Sequence, residues 1–285
     1  MKRFVRQTAL CIALAAAVFA ARAGESTNKI GISMVDIPQG SFVMGSCKLE
    51  KKSAFLGESA CANPDPDAFE NEVPQRTVQV SSFQISKTEV TLKQYSQFLK
   101  ATGDYKRMDD DFMKFNVYGD DAPVVGVTWN DAQAFILWLN ATDGGGWRLP
   151  SEAEWEYACR AGGQHAHCGG DDLDAVAWWN DNSSRQQQKV GQKRANAFGL
   201  FDMSGNAQEW VQDCWHDNYL NAPTQSTPSW QIGCQGGGRV LRGGSWKDFA
   251  KDARSASRYD GSPTARDYRN GFRLARTLVG SGAAK

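Results

Sequence analysis

The sequence predicts a single α+β domain that contains little regular secondary structure. Short alternating strands come first, and three helices with clear start and stop signals follow them. After residue 163 the periodicity fades, and short apolar pieces alternate with Gly, Asn, Asp and Ser. About 260 residues follow the predicted leader without a Pro/Ser linker or an internal repeat, so one large domain is the simplest organisation.

The pattern of residues 1–23 is typical of a signal peptide. Basic residues precede an apolar run, Leu10–Ala20, that is too short to span a bilayer. Small residues then offer a cleavage site, and we expect cleavage after Ala23. An uncleaved anchor is the alternative, which the short run disfavours. No other stretch is apolar enough to cross a membrane, so we expect an exported, periplasmic protein without a membrane span.

The charge balance argues against a nucleic-acid partner. The whole chain has 32 basic and 32 acidic residues, and cleavage removes four basic ones: Lys2, Arg3, Arg6 and Arg22. The mature chain is left with 28 basic and 32 acidic residues, a net charge of −4. A nucleic-acid-binding surface is normally basic.

Cysteine usage agrees with export. Of the seven cysteines, Cys11 leaves with the leader. Six remain: Cys47, Cys61, Cys159, Cys168, Cys214 and Cys234. An even number in an oxidising compartment indicates disulfides. The sequence does not fix the pairing, and we favour pairing between nearest neighbours, because each bond would close a loop rich in Gly, Pro or polar residues. The alternative is a reactive thiol or a metal ligand, which the lack of a CxxC motif disfavours.

The first part of the chain predicts strands. Ile32–Met44 indicates a strand, a turn at Gly40 and a second strand. Residues 47–76 are polar and contain three prolines, which predicts a long excursion. Arg76–Ile85 alternates apolar and polar residues, which predicts one strand with one buried face.

Three helices are predicted from their capping residues. Thr91 and Thr128 begin the first two, and Ser151 begins the third in a capping box with Glu154. Gly103 ends the first helix. Glycine clusters, Gly144–Gly146 and Gly162–Gly163, end the other two.

Seven motifs follow one another along the chain. They are Met34–Gly45 (MVDIPQGSFVMG), Ile85–Thr91 (ISKTEVT), Pro123–Ala132 (PVVGVTWNDA), Trp147–Arg160 (WRLPSEAEWEYACR), Asn196–Trp210 (NAFGLFDMSGNAQEW), Arg239–Trp246 (RVLRGGSW) and Asn270–Arg273 (NGFR). In order and spacing they resemble the formylglycine-generating-enzyme, or sulfatase-modifying-factor, family. The resemblance implies that family's fold for residues 24–285, a mixed domain of low regular content related to C-type lectins.

The resemblance implies a structural calcium site in the segment DMSGNAQE. Asp202 and Glu209 offer carboxylates, and Gly205 and Ala207 offer backbone carbonyls. Hard oxygen ligands on an irregular loop suit Ca²⁺. The family usually has Asn at the position of Asp202, and this change keeps an oxygen and adds charge. The alternative is a turn with a solvated Asp and a helix-capping Glu.

The family's redox site is absent from the sequence. Formylglycine generation needs two cysteines that carry copper shortly after the GGS turn, and the matching positions are Asp248 and Ala253. A carboxylate and a methyl group cannot replace two thiolates, because Cu(I) prefers sulfur. The sequence therefore excludes formylglycine generation as the activity.

We expect a cleft at that position that is lined by side chains other than cysteine. Candidate substrate-binding residues are Trp129, Arg242, Trp246, Arg254 and Arg258. Arginine and tryptophan together suit an anionic or aromatic ligand. For Arg242 and Arg258 the alternative is a structural ion pair with acidic neighbours. Asp248 lies where the family does its chemistry, and we expect it to act as a general base.

One further cluster has a weaker pattern. His165, His167 and Cys168 lie in a Gly-rich loop, and two histidines with a cysteine can hold a metal. Because Cys168 is expected in a disulfide, we do not favour a metal site here.

Among exported members of the family without the cysteine pair, the chain most resembles those that mature the siderophore pyoverdine. The resemblance implies a pyoverdine precursor peptide as substrate, other periplasmic maturation enzymes as further partners, and oxidation of the dihydropyoverdine chromophore. A bicyclic aromatic catechol suits a cleft of Trp and Arg. No flavin, nicotinamide or haem signature identifies the electron acceptor, which leaves dioxygen or a metal. The alternative function is a non-catalytic module that binds a peptide or a pathway enzyme.

Overall fold

The computed structural model describes residues 24–48, 64–234 and 237–278. The predicted signal peptide 1–23, Cys61 and most of the predicted excursion before residue 64 lie outside the described residues. In the part that is described, no helix is both long and apolar enough to cross a membrane.

The described residues form short strands and mostly short helices. The strands are β1 Glu25–Thr27, β2 Ser33–Ile37, β3 Gly40–Met44, β4 Arg76–Val80, β5 Phe83–Ser86, β6 Trp147–Arg148, β7 Gln208–Cys214, β8 Arg239–Arg242, β9 Arg258–Gly261, β10 Asn270–Phe272 and β11 Ala275–Thr277. The helices are α1 Leu92–Thr102, α2 Asp110–Phe115, α3 Trp129–Thr142, α4 Glu152–Arg160 and α5 Leu173–Val176. Long irregular stretches separate them, which confirms the predicted α+β class.

The strands form three sheets. The first has the order β1-β2-β5-β11-β6, the second β10-β7-β8-β9, and β3 pairs with β4 alone. β10 runs parallel to β7, and the other strand pairs are antiparallel. The second sheet joins the end of the chain to its middle and carries the candidate site.

The prediction of one strand over Arg76–Ile85 is wrong. The segment forms two strands, β4 and β5, which belong to different sheets. Val78 and Val80 are buried in the first strand, and Phe83 and Ile85 are buried in the second. The buried positions therefore change from even to odd numbers, and a single strand cannot bury both sets on one face.

The three predicted helices are confirmed. Thr91, Thr128 and Ser151 each accept a hydrogen bond in a reciprocal capping box. Gly103 ends α1 in the left-handed conformation with φ of 68°. Helix α4 ends at Arg160, and its C-cap Ala161 lies just before the predicted glycines. The short helices α2 and α5 were not predicted, because six and four residues carry too little periodicity.

Helix α4 is held by buried ion pairs. Glu152 accepts from Arg258 Nε at 2.6 Å, and Glu156 accepts from Arg242 Nη2 at 2.6 Å. Burial alone would raise the pKa of Glu152, but Arg258 and Arg242 outweigh burial and lower it. A third glutamate, Glu154, pairs with an arginine just before the helix. These pairs fasten β8 and β9 to α4.

We predict that Arg258→Met lowers the free energy of unfolding by about 3–5 kcal/mol, because it leaves the Glu152 carboxylate buried without its partner. Chemical denaturation measures the change. Lys87→Met is the matched control, since the Lys87–Glu25 pair is partly exposed, and an exposed pair contributes at most about 1 kcal/mol. A loss no larger than in the control would contradict the assignment of Arg258 to the structure.

Candidate functional site

Two of the predicted disulfides are confirmed. Cys159 bonds to Cys168, and Cys214 bonds to Cys234. Cys47 is also disulfide-bonded. Because Cys61 lies outside the described residues, the pairing Cys47–Cys61 stays a prediction.

Asp248 follows a tight glycine turn that presents it to three donors. Ser245 Oγ donates to Asp248 Oδ2 at 2.6 Å, and Gln208 Nε2 donates to the same oxygen at 3.2 Å. Arg269 Nη1 donates to Oδ1 at 3.2 Å. Gly244 has a φ of 70°, and a Cβ there would lie 3.0 Å from the Cα of Ala253. The absence of a side chain at Gly244 thus lets the turn pack closely against Ala253.

The carboxyl group of Asp248 is largely buried, with 12% of its side chain exposed. Burial raises its pKa, while Ser245 and Arg269 act in the opposite direction, and the balance lies above the ordinary value for an aspartate. A partly buried carboxylate with a raised pKa is suited to accept a proton.

Aromatic residues lie near Asp248: Trp246 and Phe249 are close to it in the sequence, and the ring of Tyr268 lies 5.7 Å from the guanidinium of Arg269. The rings of Trp246 and Tyr268 are 5.8 Å apart, and Lys247 Nζ donates to Tyr268 Oη at 2.8 Å. Phe249, the next residue after Asp248, is 59% exposed. An exposed aromatic rim beside a carboxylate can hold a flat aromatic ring by stacking.

A cavity of about 260 Å³ lies on the second sheet next to Asp248. Its floor consists of Trp210, Leu241 and Tyr259, which are neighbours across β7, β8 and β9. Gln208 and Asn270 line it as well. Because Gln208 also donates to Asp248, the cavity and the carboxylate belong to one site.

Three predicted substrate-binding arginines lie elsewhere. Arg242, Arg254 and Arg258 are 0%, 3% and 2% exposed. Arg254 Nη2 donates to Glu72 at 2.6 Å, and the other two pair with the glutamates of α4. Their guanidinium groups therefore form structural ion pairs. For Arg242 and Arg258 this is the alternative that the sequence left open, and for Arg254 it differs from the expected binding role.

Of the two predicted tryptophans, only Trp246 lies in the segment of Asp248, two residues before it. Trp129 donates from Nε1 to the carbonyl of Val211 at 2.9 Å, and its ring packs under Arg239 at 4.1 Å. The expected proximity of Trp129 to the site is thus not seen among the contacts of the described residues.

Sequence reasoning missed Gln208, Tyr268 and Arg269. Gln208 lies within a recognised motif, and Arg269 lies directly before one. Their place in the sequence was the only feature that could have indicated a role at the site. Their convergence on Asp248 arises from the parallel pairing of β10 with β7, which no local pattern reveals.

The predicted calcium segment contains an unpaired buried oxygen. Asp202 is 2% exposed, and its Oδ2 accepts from the backbone N–H of Gly191 at 2.6 Å. Its Oδ1 has no partner among the described residues, and neither carboxylate oxygen of Glu89 has one. Burial raises the pKa of Asp202 to about 6.

The charges in this region do not balance. Glu209 is 1% exposed and accepts two hydrogen bonds from Arg273, at 2.6 and 2.7 Å. Arg273 interacts with Glu89, Asp202 and Glu209, and among the described residues Lys193 also acts on Asp202. Buried carboxylates in excess of their cations fit a divalent ion. Within the described ranges, no group of three or more His, Cys, Asp or Glu side chains is arranged as a metal site. The predicted calcium ligands are two carboxylates and two backbone carbonyls, so they do not form such a group.

The histidine loop does not form a metal site in the described structure. His165 Nδ1 faces Asp171 Oδ2 at 2.9 Å, and His167 Nε2 faces the carbonyl of Ala250 at 3.2 Å. Cys168 is bonded to Cys159. The three side chains are thus engaged with separate partners.

Residues 19–278 match the sulfatase-modifying factor enzyme 1-like domain. The chain belongs to this family. The fold expected from the motifs is therefore confirmed, and the family includes enzymes.

The proteins that this chain resembles carry different names. The chain is 37% identical over 155 residues to the serine/threonine-protein kinase pkn1 of Chlamydia caviae, but it spans only about a quarter (24%) of that protein's length. It is 28% identical to the formylglycine-generating enzyme of Thermomonospora curvata, covering 88% of this chain and 95% of that enzyme. The solved structure of PvdO from Pseudomonas aeruginosa superposes with a TM-score of 0.73 at 28% identity, covering 90% of this chain and 98% of PvdO.

We predict that the denatured, unreduced mature protein contains no thiol that reacts with Ellman's reagent, because all six cysteines are expected in disulfides. After reduction the same assay should report six thiols per chain. Two reactive thiols before reduction would contradict the pairing of Cys47 with Cys61.

Proposed function

We propose that this chain is an exported enzyme of pyoverdine maturation that oxidises the dihydropyoverdine chromophore to the pyoverdine chromophore. The observation that carries the proposal is Asp248, a largely buried carboxylate at the position that the resemblance matches to the family's first cysteine, with Trp246 and Phe249 close to it in the sequence. The likeness to PvdO over 90% of the chain supports the same assignment.

The side chains suit a bicyclic aromatic substrate. Trp246, Tyr268 and Phe249 offer ring surfaces beside the carboxylate. Lys247, held on the hydroxyl of Tyr268, places a positive charge at the edge of this surface, where it favours an ionised catechol. The substrate is thereby oriented with an acidic hydrogen toward Asp248.

The proposed reaction removes two electrons and two protons from the dihydro chromophore. Asp248 accepts one proton from the substrate, and the two electrons and both protons end on dioxygen, which becomes hydrogen peroxide. The carboxylate is regenerated when it passes its proton to the reduced oxygen. No protein thiol takes part in this scheme.

The test uses the purified mature chain with dihydropyoverdine in air-saturated buffer. We expect the chromophore absorbance to change faster than in buffer alone, with one dioxygen consumed per chromophore. A rate equal to the spontaneous rate would contradict the enzyme proposal and leave the binding-module alternative.

We predict that Asp248→Asn lowers the turnover number by about 10²–10⁴-fold, the usual contribution of a general base. The melting temperature should change by only a few degrees, because the amide can still accept from Ser245. Since burial raises the pKa of Asp248, the wild-type rate should fall as the pH drops through that raised value, where the carboxylate becomes protonated. Full activity in the variant would remove Asp248 from the mechanism.

We also propose that Asp202, Gly205, Ala207 and Glu209 hold a structural calcium ion. The unpaired Oδ1 of Asp202 and the excess of buried carboxylates support it. The ion would compensate charge beneath β7, the strand that begins with Gln208, and so would support the site without reacting.

We predict that a calcium chelator lowers the melting temperature of the wild-type protein. Calcium at 100 times its dissociation constant adds about 2.7 kcal/mol to stability, and the chelator removes this. Asp202→Ala should melt at the same temperature with and without chelator. Superimposable wild-type melting curves in calcium and in chelator would contradict the site.

A further inference from the structure

Two buried carboxamides stand side by side at one end of the sheet cavity. Asn270 in β10 and Gln208 in β7 are direct partners in the parallel register, so their side chains lie on the same face of the sheet. They are 6% and 2% exposed, and both line the cavity. Polar side chains buried this deeply normally have hydrogen-bond partners.

The carboxamide of Asn270 lacks such a partner. Its Oδ1 is buried and forms no hydrogen bond within the described parts of the chain. Rotating the group by 180° would put Nδ2 at the same place, so either orientation leaves one polar atom unpaired. The protein thus bears the cost of an unsatisfied group at the wall of a cavity.

Gln208 links this wall to the proposed general base. Its Nε2 donates to Asp248 Oδ2 at 3.2 Å, which fixes the orientation of the amide. Its Oε1 accepts no hydrogen bond among the described residues and remains available at the cavity. A ligand bound to Gln208 would therefore lie next to Asp248.

The cavity does not suit an anion. Arg266 and Arg269 line it, but each is already paired with carboxylates. Arg266 pairs with Asp109 and Asp131, and Arg269 pairs with Asp248 and Asp267. Among the buried groups that line the cavity in the described structure, Gln208 and Asn270 keep carboxamide oxygens without a hydrogen-bond partner. The exposed carboxylate of Asp260 also lines the cavity and would repel an anion. A carboxamide binds neutral groups that both donate and accept.

We propose that Gln208 and Asn270 form a subsite that binds a secondary amide of the substrate's peptide portion. An amide carries an N–H and a C=O in a fixed arrangement, and it satisfies Asn270 in either orientation. The cavity of about 260 Å³ is smaller than the roughly 300–1,000 Å³ of a complete ligand site, so it takes a fragment of the ligand.

This inference rests on the proposed function, because it assigns the peptide and the chromophore of one substrate to neighbouring binding sites on the protein. The amide binds in the cavity, and the aromatic ring lies on the rim beside Asp248. Gln208, which contacts both, is a positioning residue for the reacting ring.

The test compares N-methylacetamide with methyl acetate, which differ in one N–H. Each is titrated into the ¹⁵N-labelled mature protein, and NMR follows the side-chain NH₂ signals of Gln208 and Asn270. We expect saturable shifts of both signals with the amide, and binding about threefold to tenfold weaker with the ester, the effect of one lost neutral hydrogen bond. Equal affinities, or no shift with the amide, would overturn the proposal.

Variants localise the effect. Gln208→Met and Asn270→Leu should each weaken binding of N-methylacetamide by about threefold to tenfold. If Asn270→Leu does not fold, Gln208→Met decides alone. Gln97→Met is the matched control, since Gln97 in α1 donates to the carbonyl of Ile30, and it should bind the amide as the wild type does. The titration contains no siderophore, so its result does not depend on the oxidation activity. A failed oxidation assay and a failed titration can therefore be told apart.

Discussion

Buried ion pairs between helix α4 and the strands that follow it fix where the site lies. Glu152 and Glu156 hold Arg258 and Arg242 at 2.6 Å, deep inside the molecule. These two arginines stand at the start of β9 and the end of β8, on either side of the turn that presents Asp248. Removing one partner would leave a charge in a medium that cannot solvate it, so these strands cannot shift independently of α4.

The same burial determines what the site can do. Partial burial in the turn raises the pKa of the Asp248 carboxyl group above the ordinary value for an aspartate. In the proposed function, the rings of Trp246 and Tyr268 bind the aromatic part of the substrate. The proposal thus keeps the family's turn and replaces its sulfur chemistry with acid–base chemistry.

Some of this could be predicted from the sequence, for identifiable reasons. Capping residues such as Thr91 and Ser151 act locally, so the three main helices were predicted correctly. The role of Arg242 was not predicted correctly. The sequence shows the charge of Arg242, but it does not show that the side chain is buried or that its partner lies 86 residues away. Gln208 and Arg269 were missed because they meet Asp248 only through long-range strand pairing.

We propose that the family scaffold has kept its shape in this protein while its thiol–copper chemistry has been replaced. Elemental analysis of the purified mature protein by mass spectrometry tests it most directly. The account predicts about one calcium ion per chain and no bound copper. Stoichiometric copper that survives dialysis would contradict it, since neither Asp248 nor Ala253 can supply the sulfur ligands that Cu(I) requires.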